Sequence, residues 1–161
     1  MTYFPLTREQ QDWKDRAAEL AERELAPRAE ETDRKSRYPQ ESLDALKAEG
    51  LFGLRVSKEY GGLGFSNTAH SEIVRKVSSV SVVAGVTVMV PNSLGPGELL
   101  MHFGTKEQRD FWLPRLADGR DIPCFGLTSA DAGSDAAGPA GHPLGGLPVG
   151  QGQTVARFGH Q

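Results

Sequence analysis

The sequence predicts a mainly α-helical chain, one core-forming domain of about five or six helices, with β structure beginning only at Ile122. Two S/T-x-x-Q capping boxes, with apolar residues at helical spacing around them, mark residues 1–120 as helical. Small, apolar and hydroxyl residues then alternate in "PCFGLTSADAGSD", as a strand running into a ligand-cradling loop would. A third observation bounds the ordered part: residues 136–161 hold seven glycines and three prolines among few large apolar side chains. Such a segment buries too little surface to offset its ordering entropy, so a disordered tail is expected there.

Thr7 to Gln10 reads as the first capping box, and Trp13, Ala17, Leu20 and Ala21 follow on one stripe, so the first helix starts near Thr7. Pro27 lacks an N–H and crowds the preceding turn; it either kinks that helix or opens another. The charged run "EETDRKSR" is a solvated face. The next helix is framed by Pro39 at its start and Gly50 at a left-handed stop, with Leu43 and Leu46 on one side. In "KEYGGLGF", Gly61, Gly62 and Gly64 permit a tight, irregular backbone path. A phosphate loop is disfavoured, because no lysine and helix start follow in P-loop register. "HSEIVRKVSS" reads as a helix with Ile73, Val74 and Val77 facing inward. For "SVVAGVTVMV" two readings stay open: β-branched residues favour a strand, while apolar character all round equally suits a buried helix. Helical signals resume in "LGPGELLMHFG". Thr105 to Gln108 then opens a last helix, in which Phe111 and Trp112 supply core mass, Pro114 limits the regular part and Gly119 ends the run.

A formal net charge of −3, a pI near 5.8 and no Lys/Arg block leave no electrostatic footprint for nucleic acid. The N-terminus shows no cationic stretch followed by an apolar run, and residues 82–90, the most apolar segment, fall far below the ~20 residues needed to span a bilayer. A cytoplasmic protein with no transmembrane segment is expected. Cys124, the one cysteine, excludes an intrachain disulfide framework. With no partnered base in view, it reads as a small buried hydrophobe and not a nucleophile. His70, His102, His142 and His160 show no metal-ligand spacing, so no metal site is expected.

"EYGGLGFS" at 59–66 and "VMVPNSLGPGELLMHFGTKEQRDFWLPRLADGRDIPCFGLTSADAGSD" at 88–135, in that order and spacing, resemble the acyl-CoA dehydrogenase family. The wording "MVPNSLGP" is most similar to the larger bacterial fatty-acid dehydrogenases, and the resemblance covers roughly residues 6–135. It implies a helical N-terminal domain over 1–120, the start of a middle β domain with a flavin-edge motif over 121–135, and an unrelated tail over 136–161. Under it "SVVAGVTVMV" is a buried helix. The implied chemistry is FAD-dependent oxidation of a saturated acyl-CoA to the trans-2-enoyl-CoA in fatty acid β-oxidation, with an electron-transfer acceptor reoxidising the flavin. The intact enzyme is expected to be a homo-oligomer.

By the same resemblance Phe125, Gly126, Leu127, Thr128, Ser129, Ala130, Asp131, Ala132, Gly133 and Ser134 form the cofactor-binding edge. Backbone groups and the Thr128 hydroxyl would meet the pyrimidine side of the flavin, where fixed donors stabilise the charge of the reduced ring. Gly133 would allow close backbone approach, and Ser134 would reach the cofactor pyrophosphate or the CoA arm of the substrate. Read without the resemblance, Thr128 and Ser129 end a strand in a hydroxyl-stabilised turn, and "AGSD" caps a following element.

Two departures matter. Ser129 and Ala130 stand where the family often has an acidic residue and a proline, which implies altered loop rigidity with recognition retained. After Asp135 the family continues with β strands carrying a W-x-[ST] motif and then a helical bundle with the catalytic glutamate, and the residues here do not follow that pattern. Glu59, Glu72, Glu98 and Glu107 are carboxylates, yet none falls at the family's catalytic position, so no catalytic residue is assigned. A reading frame interrupted near residue 136 accounts for the abrupt change of composition. A flavin needs walls on several sides and one strand with its loop provides one, so weak FAD affinity and no activity of the fragment alone are expected. Two other functions compete: a non-catalytic helical module, or complementing fragment, that binds a partner; and an acyl-CoA oxidase-like flavoenzyme using oxygen as acceptor.

Overall fold

A computed structural model describes residues 5 to 124; the flavin-edge motif at 125–134 and the Gly/Pro-rich tail lie outside the described residues. Helix α1 (Arg8–Leu20) starts on the expected capping box: the Thr7 hydroxyl accepts from the Gln10 N–H, and the Gln10 side chain accepts from the Thr7 N–H. Near Pro27 another helix opens, one of the two outcomes expected, and it follows the first without a break in the helical run. Residues Ala21–Leu25 widen into a π turn, in which the Ala26 N–H reaches back to the Ala21 carbonyl, and α2 (Ala26–Arg34) continues with the proline in its first turn. The wide turn removes the demand for the N–H that proline lacks.

Helix α3 (Gln40–Glu49) follows Pro39 and ends at Gly50, whose φ of 81° is the left-handed stop read from the sequence. Residues 53–65, which include the glycine-rich stretch, form an irregular strap. N–H groups of Leu63, Gly64 and Phe65 donate to the carbonyls of Gly53, Val56 and Leu54, each at 2.8 Å. Gly61 adopts a φ of 85°, and Gly62 lies so close to the strap that a Cβ there would sit 2.0 Å from the Val56 carbonyl oxygen.

Helix α4 (Asn67–Ser78), capped by the Ser66 hydroxyl, buries Ile73, Val74 and Val77 as expected. The segment left open by propensity is helical: α5 (Val82–Met89) starts on the Ser81 hydroxyl and runs into a second π turn, Val90–Leu94, containing Pro91. Its burial differs from the expectation. Ala84, Gly85 and Val88 face the core, whereas Val82 is 70% exposed and Val83 and Val86 are exposed as well. A backbone approach forces the one-sided contact, since a Cβ on Gly85 would lie 1.9 Å from Ser78 Oγ.

Helices α6 (Pro96–Phe103) and α7 (Lys106–Ala117) complete the described fold, the latter on the second capping box of Thr105 and Gln108. Two expectations for α7 need correction. Pro114 lies inside the helix without shortening it, because the carbonyl four residues back belongs to the exposed Asp110 and water can satisfy it. Phe111 is 54% exposed and Trp112 half-buried, so they are not core; Leu113, Leu116 and Ala117 occupy the inward stripe instead.

The main core joins Ala17, Leu20 and Leu25 to Leu46, Phe52, Ile73, Val77 and Val88. A smaller cluster of Val56, Leu113, Leu116 and Ala117 seats α7 on the strap. No strand occurs among the described residues, and none of the helices among them is long and apolar enough to cross a membrane.

Candidate functional site

The strap brings Arg55 to the junction of four elements. Its backbone N–H donates to Asn92 Oδ1 at 2.9 Å, and one guanidinium nitrogen donates to both Glu98 oxygens at 2.6 Å. The other terminal nitrogen donates to Asn67 Oδ1 at the start of α4. With the Arg55 side chain only 10% exposed, these bonds compensate a charge largely removed from water. Arg55 Nε has no hydrogen-bond partner among the described residues.

Asn92, 1% exposed, is the second member of this knot. Its Nδ2 donates to the Val88 carbonyl at 2.8 Å and to the Leu51 carbonyl at 3.0 Å. Ser93 Oγ takes the neighbouring Met89 carbonyl at 3.4 Å. Side chains thus supply donors to carbonyls where the π turn around Pro91 departs from the regular helical ladder. His70 closes the cluster from α4: it is buried and its Nε2 is without a partner among the described residues. Burial, reinforced by the nearby Arg55 charge and partly offset by Glu98, pushes its pKa down to about 4, so the imidazole is neutral at physiological pH.

Exposed apolar side chains cluster in sequence on α5, the π turn and α6. Val82, Val83 and Val86 emerge from α5, Leu94 from the π turn, and Leu99 and Phe103 from α6, the last 83% exposed. The four carboxylates singled out in the sequence are otherwise occupied. Glu98 is held by Arg55, and Glu72 accepts from Arg75, which holds its carboxyl below the usual range. A backbone hydrogen bond in the first turn of α7 lowers Glu107 likewise, and Glu59 lies 3.4 Å from the Ser57 hydroxyl. No three His, Cys, Asp or Glu side chains gather to hold a metal ion among the described residues.

The approach to the motif at 125–134 is fixed by the end of α7. Gly119 turns the chain at a φ of 69°, packed so that a Cβ would meet the Phe52 ring at 2.6 Å. Arg115 pairs with Asp121, and the Asp121 N–H donates to the Arg115 carbonyl at 3.2 Å. Ile122 packs on the main core, Pro123 is buried, and Cys124 is exposed, contrary to its expected burial. The described chain therefore leaves the helical domain from a clamped point. Phe125 to Ser134, the expected cofactor edge, begin at the next residue and lie outside the described residues.

Residues 7–120 match the family model described as the acyl-CoA dehydrogenase N-terminal domain. The chain belongs to the acyl-CoA dehydrogenase family. It is 38% identical over 120 residues to a 3-(aryl)acrylate reductase of Clostridium sporogenes, covering 74% of this chain and 32% of the relative. A short-chain-specific acyl-CoA dehydrogenase of Clostridium acetobutylicum is 37% identical over 132 residues, covering 82% and 35% respectively. Among solved structures, butyryl-CoA dehydrogenase from Megasphaera elsdenii superposes with a TM-score of 0.76 at 32% identity, over 84% of this chain and 36% of that one. The chain thus spans about a third of the length of the curated relatives it matches. Membership of the acyl-CoA dehydrogenases accounts for the helical architecture of the described residues.

The Arg55, Asn92 and Glu98 cluster was not assigned from the sequence. Its only signal there is Asn92 inside "VPNSL", where a polar residue follows a run of valines. Arg55 in "GLRVS" gives no hint that its side chain points inward.

Proposed function

We propose that the chain provides the N-terminal helical domain and first cofactor-facing segment of an FAD-dependent acyl-CoA dehydrogenase of fatty acid β-oxidation. One observation carries this reading: the acyl-CoA dehydrogenase match over 7–120 leads directly, through the clamp at Arg115 and Asp121, into "FGLTSADAGS". The clamped exit fits a segment that must be presented at a defined place. The ring-facing donors in this reading, Leu127 to Ser134, lie outside the described residues. A bound flavin supplies hydride acceptance; this chain contributes the orientation of that edge and, in α5, the π turn and α6, an apolar surface suited to an acyl chain. No proton acceptor is assigned to the chain.

Residues 136–161 fit the proposal as sequence from a different reading frame. Translating the underlying DNA in its other two frames should reveal β-domain sequence just downstream, and its absence counts against a frameshift. Joining residues 1–135 to that sequence should give a yellow protein whose flavin absorbance bleaches with acyl-CoA, whereas the chain by itself should bind FAD weakly. A joined polypeptide that is colourless and inert to acyl thioesters overturns the assignment. Oxygen consumption during turnover separates an oxidase from a dehydrogenase.

The exposed apolar surface also favours a second reading, a helical module that docks with a separately encoded remainder. Flavin bound to the purified joined protein, and not merely tighter self-association, decides between the two.

A further inference from the structure

We propose that Arg55 is a positioning residue: through Asn92 and Glu98 it holds the Val90–Leu94 π turn, and so sets the shape of the apolar wall and the acyl lengths it accepts. The part concerning acyl lengths rests on the function proposed above. The hold on the π turn stands on the geometry alone.

Helix α5 is continuous with the π turn, and both bear exposed apolar side chains, Val82 and Val86 on the helix and Leu94 on the turn. A π turn inserts a residue into the helical repeat. Its relaxation to regular α geometry rotates every later side chain by about 100° relative to the preceding turns. Leu94 would leave its position relative to Val86, and α6, which begins two residues later, would be displaced with it. What opposes relaxation is on the inner side. Asn92 Nδ2 occupies the Val88 carbonyl that a regular turn would offer to a backbone N–H, and the amide is oriented by two further bonds, to the Leu51 carbonyl and from the Arg55 N–H. The Arg55 guanidinium then fixes the far side of the turn through the Glu98 carboxylate in the first turn of α6.

Packing leaves the turn little freedom of its own. A Cβ on Gly97 would lie 2.1 Å from the Pro91 carbonyl oxygen, so α6 abuts the π turn at backbone contact and moves with it. A partly buried ion pair such as this one, with Arg55 10% and Glu98 34% exposed, is a poor way to gain stability, because desolvation offsets much of the attraction. Conformational specificity is its better-attested use, and here the pair ties the strap, α4, the π turn and α6 together. Of these, the π turn and α6 bear the exposed Leu94, Leu99 and Phe103.

Arg55→Met and Glu98→Gln variants of the 161-residue chain test this, with Arg16→Met, which removes the exposed ion pair to Glu49, as control. Hydrogen exchange of the amides in 90–98 should quicken about tenfold or more in Arg55→Met and Glu98→Gln, with α1 and α2 unaffected, and stay unchanged in the control. If Arg55→Met fails to fold, Glu98→Gln decides. With the same substitutions placed in the joined polypeptide, binding of butyryl-, octanoyl- and palmitoyl-CoA should change in rank order in the two variants while keeping its order in the control. Exchange at 90–98 that matches the parent overturns the proposal, as does faster exchange with an unchanged acyl ranking. Failure of the functional reading shows differently: the joined parent polypeptide then takes none of the three thioesters, and the exchange result by itself upholds or overturns the hold of Arg55 on the turn.

Discussion

His70 is a base placed where it cannot easily take a proton. Its pKa, pushed from 6.5 down to about 4, means the unfolded chain binds that proton more tightly than the folded one. Stability on this account is complete above pH 6.5 and declines as the pH falls from there toward 4, by roughly 3 kcal/mol at most. Thermal melts between pH 7 and pH 4 should show that decline, and His70→Leu should flatten it; an unchanged slope in the variant refutes the assignment. Two adjacent glycines separate two physical demands. Gly61 needs its positive φ but has open space around it, so Gly61→Ala should cost about 1 kcal/mol. Gly62 has no room, and Gly62→Ala must displace the Val56 carbonyl, so its loss in denaturant titration should be at least ~2 kcal/mol and clearly the larger. The sequence shows that these glycines shape a tight path. Which of them is limited by torsion and which by space depends on a neighbour, Val56, that sequence spacing alone does not identify.

At the scale of elements, what the sequence made legible is local chemistry. Thr7 with Gln10, Thr105 with Gln108, and Gly50 as a left-handed stop all do in the structure what their residue types suggest, because each acts through backbone groups within a few positions. Thr105→Ala should therefore lower stability by about 1 kcal/mol, measured by denaturant midpoint, with the smaller core cluster under α7 as the reason the loss is felt globally. Less legible were features decided by partners distant in sequence. Valine-rich α5 is helical because Ser81 caps it and Gly85 lets it close on Ser78, an approach that β propensity does not register. Helical spacing assigns Phe111 and Trp112 to the core, yet the phase of α7 is set by Leu113, Leu116 and Ala117 meeting Val56. The first π turn precedes Pro27 and the second contains Pro91; the sequence marks Pro27 as a kink or a new helix start without saying that a widened turn is how the helix absorbs it. The inward Arg55 is not legible in the sequence because its partners, Asn92 and Glu98, lie about forty residues away along the chain.

For the whole molecule, the decisive asymmetry is between a well-tied interior and an apolar exterior on α5, the second π turn and α6. Val86→Glu with Phe103→Ser should reduce concentration-dependent self-association, read by light scattering, while moving stability by less than about 0.5 kcal/mol, since neither side chain is buried. Persistent association in that variant places the contact elsewhere. The proposed flavin edge, Phe125 to Ser134, is legible only as a motif and lies outside the described residues. The clamp at Arg115 and Asp121 has one more consequence, for synthesis at the ribosome. Ile122 is the last described residue to pack on the main core, so all the side chains named in that core are available once it has emerged. The helical domain can then fold during translation, ahead of any β strand, sparing its valines and leucines a long wait in contact with chaperones.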